Sequence, residues 1–402
     1  MIDANAVPRI IQLLDFNDMP DIQYESAWCI TNIATGSRDQ VQCLVEKGVI
    51  PKLAVLMKNE KNKLKNQAIW ALGNISGECI EYRDTVINYG IIPTLVNTLL
   101  ATKDIEILKN GSWALLNFIR GKPVPDYEKI KCAIPAFCNL ILKNDDKEIL
   151  VDSCWGLTTL SENSSNRLEV FTNNNILPRL VQLLSSSVHL AIIFHALRCI
   201  GTILVGKEAE TQLAINAGVV PALAHLMDHD KSSMRKEVAW AISNITADSS
   251  TQLQVVMDAG LITKLVKVAI NDSFEVRREA IWCLSNGTIS CNTIQLKKLV
   301  EAEIVEALCS ILVSNDARTI AISLEGLSTI LEKAKAQISD AYVEEITMRI
   351  EKCNGLTRLE NLQTHANTHI YQKAIQIIEG YFGVEDEIVS TEAPRSISIF
   401  DF

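Results

Sequence analysis

The chain has 402 residues, too many for one ordinary compact core, so two or three domains or an elongated repeat array are expected. Its formal net charge of −10 argues against the basic face of a nucleic-acid binder and favours basic partners. Eleven cysteines, scattered singly without a CxxC pair, suggest neither a disulfide framework nor a zinc ribbon, and fit small core residues in a reducing compartment. The opening MIDANAVPRI is neither a signal nor a transit peptide, and no apolar run is long enough to span a bilayer. A soluble intracellular chain is therefore expected, in which the acceptor patterns at Asn74, Asn163, Asn244 and Asn286 meet no glycosylating machinery.

In chain order, Pro8 opens a first predicted helix and ESAWCITNIATG carries Trp28 on a longer one. QVQCLVEK then reads as a short helix closed near Gly48, a residue free to turn left-handed, and Pro51 opens the next helix where a missing N–H costs nothing. A polar loop follows, and QAIWALGNISGE carries Trp70. The unit recurs with Gly90, Pro93 and Trp113, with Pro135 and Trp155, and with Pro178 and Arg198. It returns with Gly218, Pro221 and Trp240, with Gly260, Thr263 and Trp282, and with Glu306 and Glu325. The step is 42 or 43 residues in both registers, inside the range of armadillo and HEAT arrays. Apolar residues recur at three and four, not two, which predicts an all-α solenoid with three helices per repeat.

Stacked repeats need caps. The expected organisation is a repeat domain over 1–382, with eight recognisable repeats and a C-terminal capping unit through HIYQKAIQIIEGYF, then a flexible acidic tail over 383–402. The first unit has no leading helix before Pro8, so N-terminal sequence beyond the start of this chain is expected.

Tryptophan and asparagine at i and i+4 share a helix face, so successive repeats build an indole ladder beside an amide ladder. Asn32, Asn74 and Asn117 follow the first three tryptophans, and Asn244 and Asn286 the last two. Thr159 and Thr202 break the series after Trp155 and Arg198. Asparagine suits a helix interior poorly, which points to a use for its amide. An amide can pair with both backbone groups of an extended peptide, and indole faces suit aliphatic stems ending in cations. The expected ligand is an extended segment rich in lysine and arginine.

The phrases ESAWCITNIATG, QAIWALGNISGE, DSCWGLTTL, HALRCIGTILVG, KEVAWAISNITA and REAIWCLSNGTI resemble the armadillo repeats of importin-α, adaptors for nuclear localisation signals. The resemblance runs over nearly the whole chain and includes the arginine that interrupts the ladder at Arg198. It implies a right-handed superhelical solenoid shuttling between cytoplasm and nucleus. It also implies a major signal site on Trp28, Asn32, Gln67, Trp70, Asn74, Trp113 and Asn117. The family's lysine pocket of glycine carbonyl, threonine hydroxyl and aspartate maps to Gly36, Val41 and Glu78, which keeps the glycine, lengthens the acid and loses the hydroxyl. A minor site maps to Glu237, Trp240, Ser243, Asn244, Glu279, Trp282 and Asn286, with Arg198 and Glu208 near it and a hydrophobic edge at Leu204 and Val205. Importin-β is the implied partner through a basic N-terminal arm that does not precede Pro8, and a nuclear export receptor is implied near Tyr371 to Phe382.

No nucleophile with its base, metal cluster or phosphate loop stands out, so neither an enzyme nor a cofactor is expected. His225/His229 and His365/His369 have the i,i+4 spacing of a metal pair but no third ligand, and read as surface histidines. A scaffold of the β-catenin type is the alternative function, favouring a basic groove and acidic ligands.

Overall fold

The computed structural model describes Ile2, residues 4–164, Phe171 and residues 175–186 and 189–383. Every regular element among them is helical, and none is long and apolar enough to cross a membrane. The chain divides into two compact units, Met1–Ser290 and Cys291–Phe402. Apart from Gly383, the tail expected over 383–402 lies outside the described residues.

One repeat of the first unit shows the local logic. Ser37 and Gln40 form a capping box that starts Arg38–Glu46. The helix is closed at Gly48, whose φ of +75° is the left-handed conformation that glycine adopts without a Cβ penalty. Val49–Leu56 follows with Pro51 in its first turn, and after a short loop the long helix Asn62–Glu78 carries Trp70. Gly90, Gly218 and Gly260 repeat the left-handed turn. In the second unit Glu303 and Asn354 take that conformation without being glycine, which explains why the glycine marker fades there although the turn persists.

The long helices of the first unit are Pro20–Ala34, Asn62–Glu78, Ile105–Ile119, Lys147–Glu162, Leu190–Leu204, Ser232–Asp248 and Phe274–Ser290, and each packs on the next. Their inner faces are apolar and fully buried, as with Ile69, Ala71, Leu72 and Ile75 on the Trp70 helix. Each such leucine or isoleucine contributes roughly 1.5 to 3 kcal/mol, and the burial needs the neighbouring repeat. The second unit holds Thr293–Glu301, Ile304–Ser310, Ala317–Gln337, Asp340–Lys352, Gly355–Leu362 and Thr368–Tyr381.

Candidate functional site

The tryptophans are not core residues. Trp28, Trp70 and Trp155 are 46%, 40% and 39% exposed, and Trp113, Trp240 and Trp282 are half-buried. Two of the deeper rings are seated by glycines: a Cβ on Gly73 would lie 2.3 Å from Trp113 Cζ3, and one on Gly201 would lie 2.2 Å from Trp240 Cζ3. The missing side chain lets each indole rest against the preceding long helix. A row of partly exposed indoles at a fixed repeat is what a candidate binding surface offers.

The asparagines divide their amides between two duties. Asn117 Nδ2 donates to the Gly73 carbonyl at 3.1 Å, Asn286 Nδ2 to Ser243 at 3.0 Å and Asn74 Nδ2 to Thr31 at 3.4 Å. Each acceptor lies in the preceding repeat, one residue before that repeat's own asparagine. Asn244 instead donates to Trp240 of its own helix at 3.1 Å, and Asn32 is exposed. The sequence suggests that both halves of the amide serve a ligand. In the folded chain the donor half ties repeats together at Asn74, Asn117 and Asn286, and the Asn117 oxygen is buried.

Gln67 is used in the same way. It is 5% exposed, and its Nε2 donates at 2.6 Å to the Thr31 hydroxyl, which itself donates to the Ala27 carbonyl. Gln67 occupies the position three residues before the tryptophan, and the rest of that register reads Glu25, Asn110, Asp152, His195, Glu237 and Glu279. Sequence reasoning singled out only Gln67, Glu237 and Glu279; of the others, Asp152 stands out. It lines a cavity of about 350 Å³ with Asn110, Trp113, Glu148 and Ala191. Burial, reinforced by Glu148 and opposed by Arg120, raises its pKa to about 6.

Basic side chains of the protein already occupy the centre of the ladder. The Arg198 guanidinium lies 4.9 Å from the centre of the Trp240 ring and donates to Glu237 at 3.2 Å, with Glu162 3.8 Å away. Arg120 stands over Trp155 at 5.5 Å, and His195 stacks on the same indole at 5.4 Å and 18°. Burial, then the charge of Arg198, lowers the His195 pKa, so the imidazole stacks in its neutral form near neutral pH. Glu279 is held by Arg278 at 3.0 Å. Glu237 and Glu279, expected from their residue types to stand open for a ligand, are thus each paired with an arginine of the chain itself.

The lysine pocket read as Gly36, Val41 and Glu78 has its glycine and acid exposed, while Val41 is fully buried and apolar. Four repeats further on, the same register reads Gly206, Thr211 and Asp248. Val41 and Thr211 are each the fourth residue of their helix, and Glu78 and Asp248 each end a long helix. The Thr211 hydroxyl donates to the Leu204 carbonyl at 3.4 Å, and the Asp248 pKa is raised by burial, against a lowering by Thr211, and by Glu208. Glu208 opens the Thr211 helix beside this acid. Outside the ladder, His229 and His365 each accept a backbone N–H two residues on, from Lys231 and Asn367, at 3.0 Å.

The fold and the ladder define an armadillo-repeat protein. Residues 1–35, 37–77, 79–120 and 208–247 match the armadillo/beta-catenin-like repeat, and 344–395 match the atypical Arm repeat. An engineered protein of known structure aligns with a TM-score of 0.75 at 23% identity, over 94% of this chain and 99% of its own. A designed armadillo repeat protein aligns with a TM-score of 0.54 at 23% identity, over 62% of this chain and 99% of its own. Importin subunit alpha-1b of Oryza sativa subsp. japonica is 35% identical over 405 residues, covering 100% of this chain and 76% of that protein. Importin subunit alpha-5 of Arabidopsis thaliana is 38% identical over 387 residues, covering 96% and 74%. The chain belongs to the importin-α family of nuclear import adaptors.

Proposed function

We propose that this chain binds lysine- and arginine-rich nuclear localisation signals in extended conformation along the Trp/Asn ladder, with a major cluster at Trp28, Trp70 and Trp113 and a minor one at Trp240 and Trp282. The observation that carries the reading is the contact of Arg198 with Trp240 and Glu237, a cation held over an indole and paired with a carboxylate. That is the chemistry a basic ligand would meet at its neighbours, where the indole quadrupole and the acid attract the head and the ring packs its stem.

In the major cluster Glu78 and Asp152 receive ammonium groups, and the asparagine carbonyls accept from the peptide backbone. In the minor cluster Asp248, Glu237 and Glu279 take the acidic role. Transfer of the bound cargo to importin-β, engagement of an export receptor near Tyr371 and shuttling between cytoplasm and nucleus belong to the same proposal. The test is a calorimetric titration with a lysine-rich peptide and with a control carrying glutamate at each lysine. Tight binding of the first alone is expected. Preference for the acidic peptide would favour a scaffold of the β-catenin type.

A further inference from the structure

Two cysteines of the second unit converge. Cys309 lies fully buried in Ile304–Ser310, and Cys353, half-buried, directly follows Asp340–Lys352. A Cβ placed on Gly355 would meet the Cys309 sulfur at 2.6 Å and the Ile350 carbonyl oxygen at 2.8 Å. That carbonyl accepts from the Cys353 thiol at 3.3 Å. Both sulfurs therefore close on the space that Gly355 leaves open, near enough for each thiol to shift the titration of the other.

We propose that Cys353 is an oxidation site that reacts with a peroxide and passes the oxidation to Cys309 as a disulfide. The Cys353 sulfur has the surroundings of a reactive thiol: partial exposure, the Cys309 thiol as donor, the Gly355 N–H at the start of Gly355–Leu362, and the Arg358 charge nearby. The Cys309 donor, followed by the Gly355 N–H, lowers the Cys353 pKa to about 7, while Cys353 and burial hold Cys309 well above the ordinary thiol value. Arg358 also donates to the Cys309 carbonyl at 2.7 Å, which fixes the helix bearing the second thiol.

The steps balance. The Cys353 thiolate attacks one peroxide oxygen, so an S–O bond forms, the O–O bond breaks, and hydroxide leaves to take up a proton as water. Sulfur is oxidised by two electrons to a sulfenic acid, and the peroxide is reduced. The Cys309 sulfur then attacks the Cys353 sulfur, forming S–S and breaking S–O, and its proton leaves with the departing hydroxide as a second water. Two thiols and one hydrogen peroxide give one disulfide and two waters. The product ties Ile304–Ser310 covalently to the end of Asp340–Lys352.

The test is graded oxidation of the purified chain with hydrogen peroxide, followed by alkylation and peptide mass spectrometry. A Cys309–Cys353 linked peptide that dithiothreitol reverses is expected before Cys43 or Cys132 is modified. In Cys309→Ser the oxidation should stop at a Cys353 sulfenic acid trapped by dimedone, and in Cys353→Ser the Cys309 thiol should stay unmodified. Circular dichroism checks that each variant is folded, with Cys309→Thr, which keeps a hydroxyl donor, or Cys353→Ala replacing the corresponding serine variant if it is not. Absence of the link while other cysteines oxidise, or failure of dimedone to trap Cys353 in the folded Cys309 variant, overturns the proposal.

Discussion

The side-chain nitrogen of Asn117 donates to the Gly73 carbonyl in the preceding repeat at 3.1 Å, and its oxygen is buried with no partner among the described residues. One amide thus joins two repeats and keeps an acceptor unpaired and closed to solvent in the free chain. Asn117→Ala removes both, so we expect a stability loss of about 1 kcal/mol for the lost hydrogen bond together with weaker peptide binding. Asn32→Ala, at an exposed site, should change stability by no more than about 0.5 kcal/mol. Denaturant melts with parallel peptide titrations test the pair; an Asn117 variant as stable as the parent would remove the inter-repeat role.

Gly73 and Gly201 seat Trp113 and Trp240. A methyl at either site falls far inside van der Waals contact with the indole. Gly73→Ala and Gly201→Ala should each cost about 1 to 3 kcal/mol through overpacking. Each should also weaken binding of basic peptides by displacing an indole from the ladder. Tryptophan fluorescence would report the displaced ring, and an unchanged spectrum with unchanged stability would contradict the seating.

If Asp152 receives a lysine as proposed, the major cluster should depend on pH. With its pKa raised to about 6, the carboxyl is mostly protonated and neutral below that pH, and a lysine arriving beside it must displace the proton. Affinity for a lysine-rich peptide should rise from pH 5 to pH 7.5, by at most about tenfold per pH unit below the pKa. Asp152→Asn should flatten that rise. Titrations at four pH values settle the matter, and an equally steep profile in the variant would assign the proton to another group.

How much of this was legible in the sequence differs by residue. Trp28 through Trp282 and Pro8 through Pro221 keep the same period in two registers, so the helical repeat could be read from spacing alone. Asp152 stands in the same register as Gln67, Glu237 and Glu279, and Gly206, Thr211 and Asp248 repeat the register of Gly36, Val41 and Glu78. Both were within reach of the repeat arithmetic. The donor role of Asn117 was not, because it depends on which carbonyl of the neighbouring repeat comes within 3.1 Å. Nor was the placement of Arg198 on Trp240, since a flexible side chain chooses its indole only after the repeats have stacked.

The two candidate lysine pockets differ in a hydroxyl and in the length of the acid. Thr211 is buried beside Asp248, whereas Val41, at the equivalent helix position, is buried with only methyl groups to offer. If both take a lysine head, the second sets an acid near a hydroxyl that donates to the Leu204 carbonyl in the free chain, and the first offers Glu78 without one. Val41→Thr should strengthen binding of a single-cluster signal by roughly 0.5 to 1.5 kcal/mol, the range for one added hydrogen bond. It should also cost about 1 to 3 kcal/mol of stability in the free chain, because the new hydroxyl is buried without an assured partner. Thr211→Val removes a hydroxyl beside an acid and should weaken only two-cluster signals, leaving single-cluster binding at its starting value. Glu78→Lys sets the scale, since a like charge facing the ammonium should cost about 2 to 5 kcal/mol of single-cluster binding. The four proteins, each titrated with a single-cluster and a two-cluster peptide, test the assignment of both pockets. If Thr211→Val weakens the single-cluster peptide, or Glu78→Lys spares it, the assignment of signals to the two clusters is wrong.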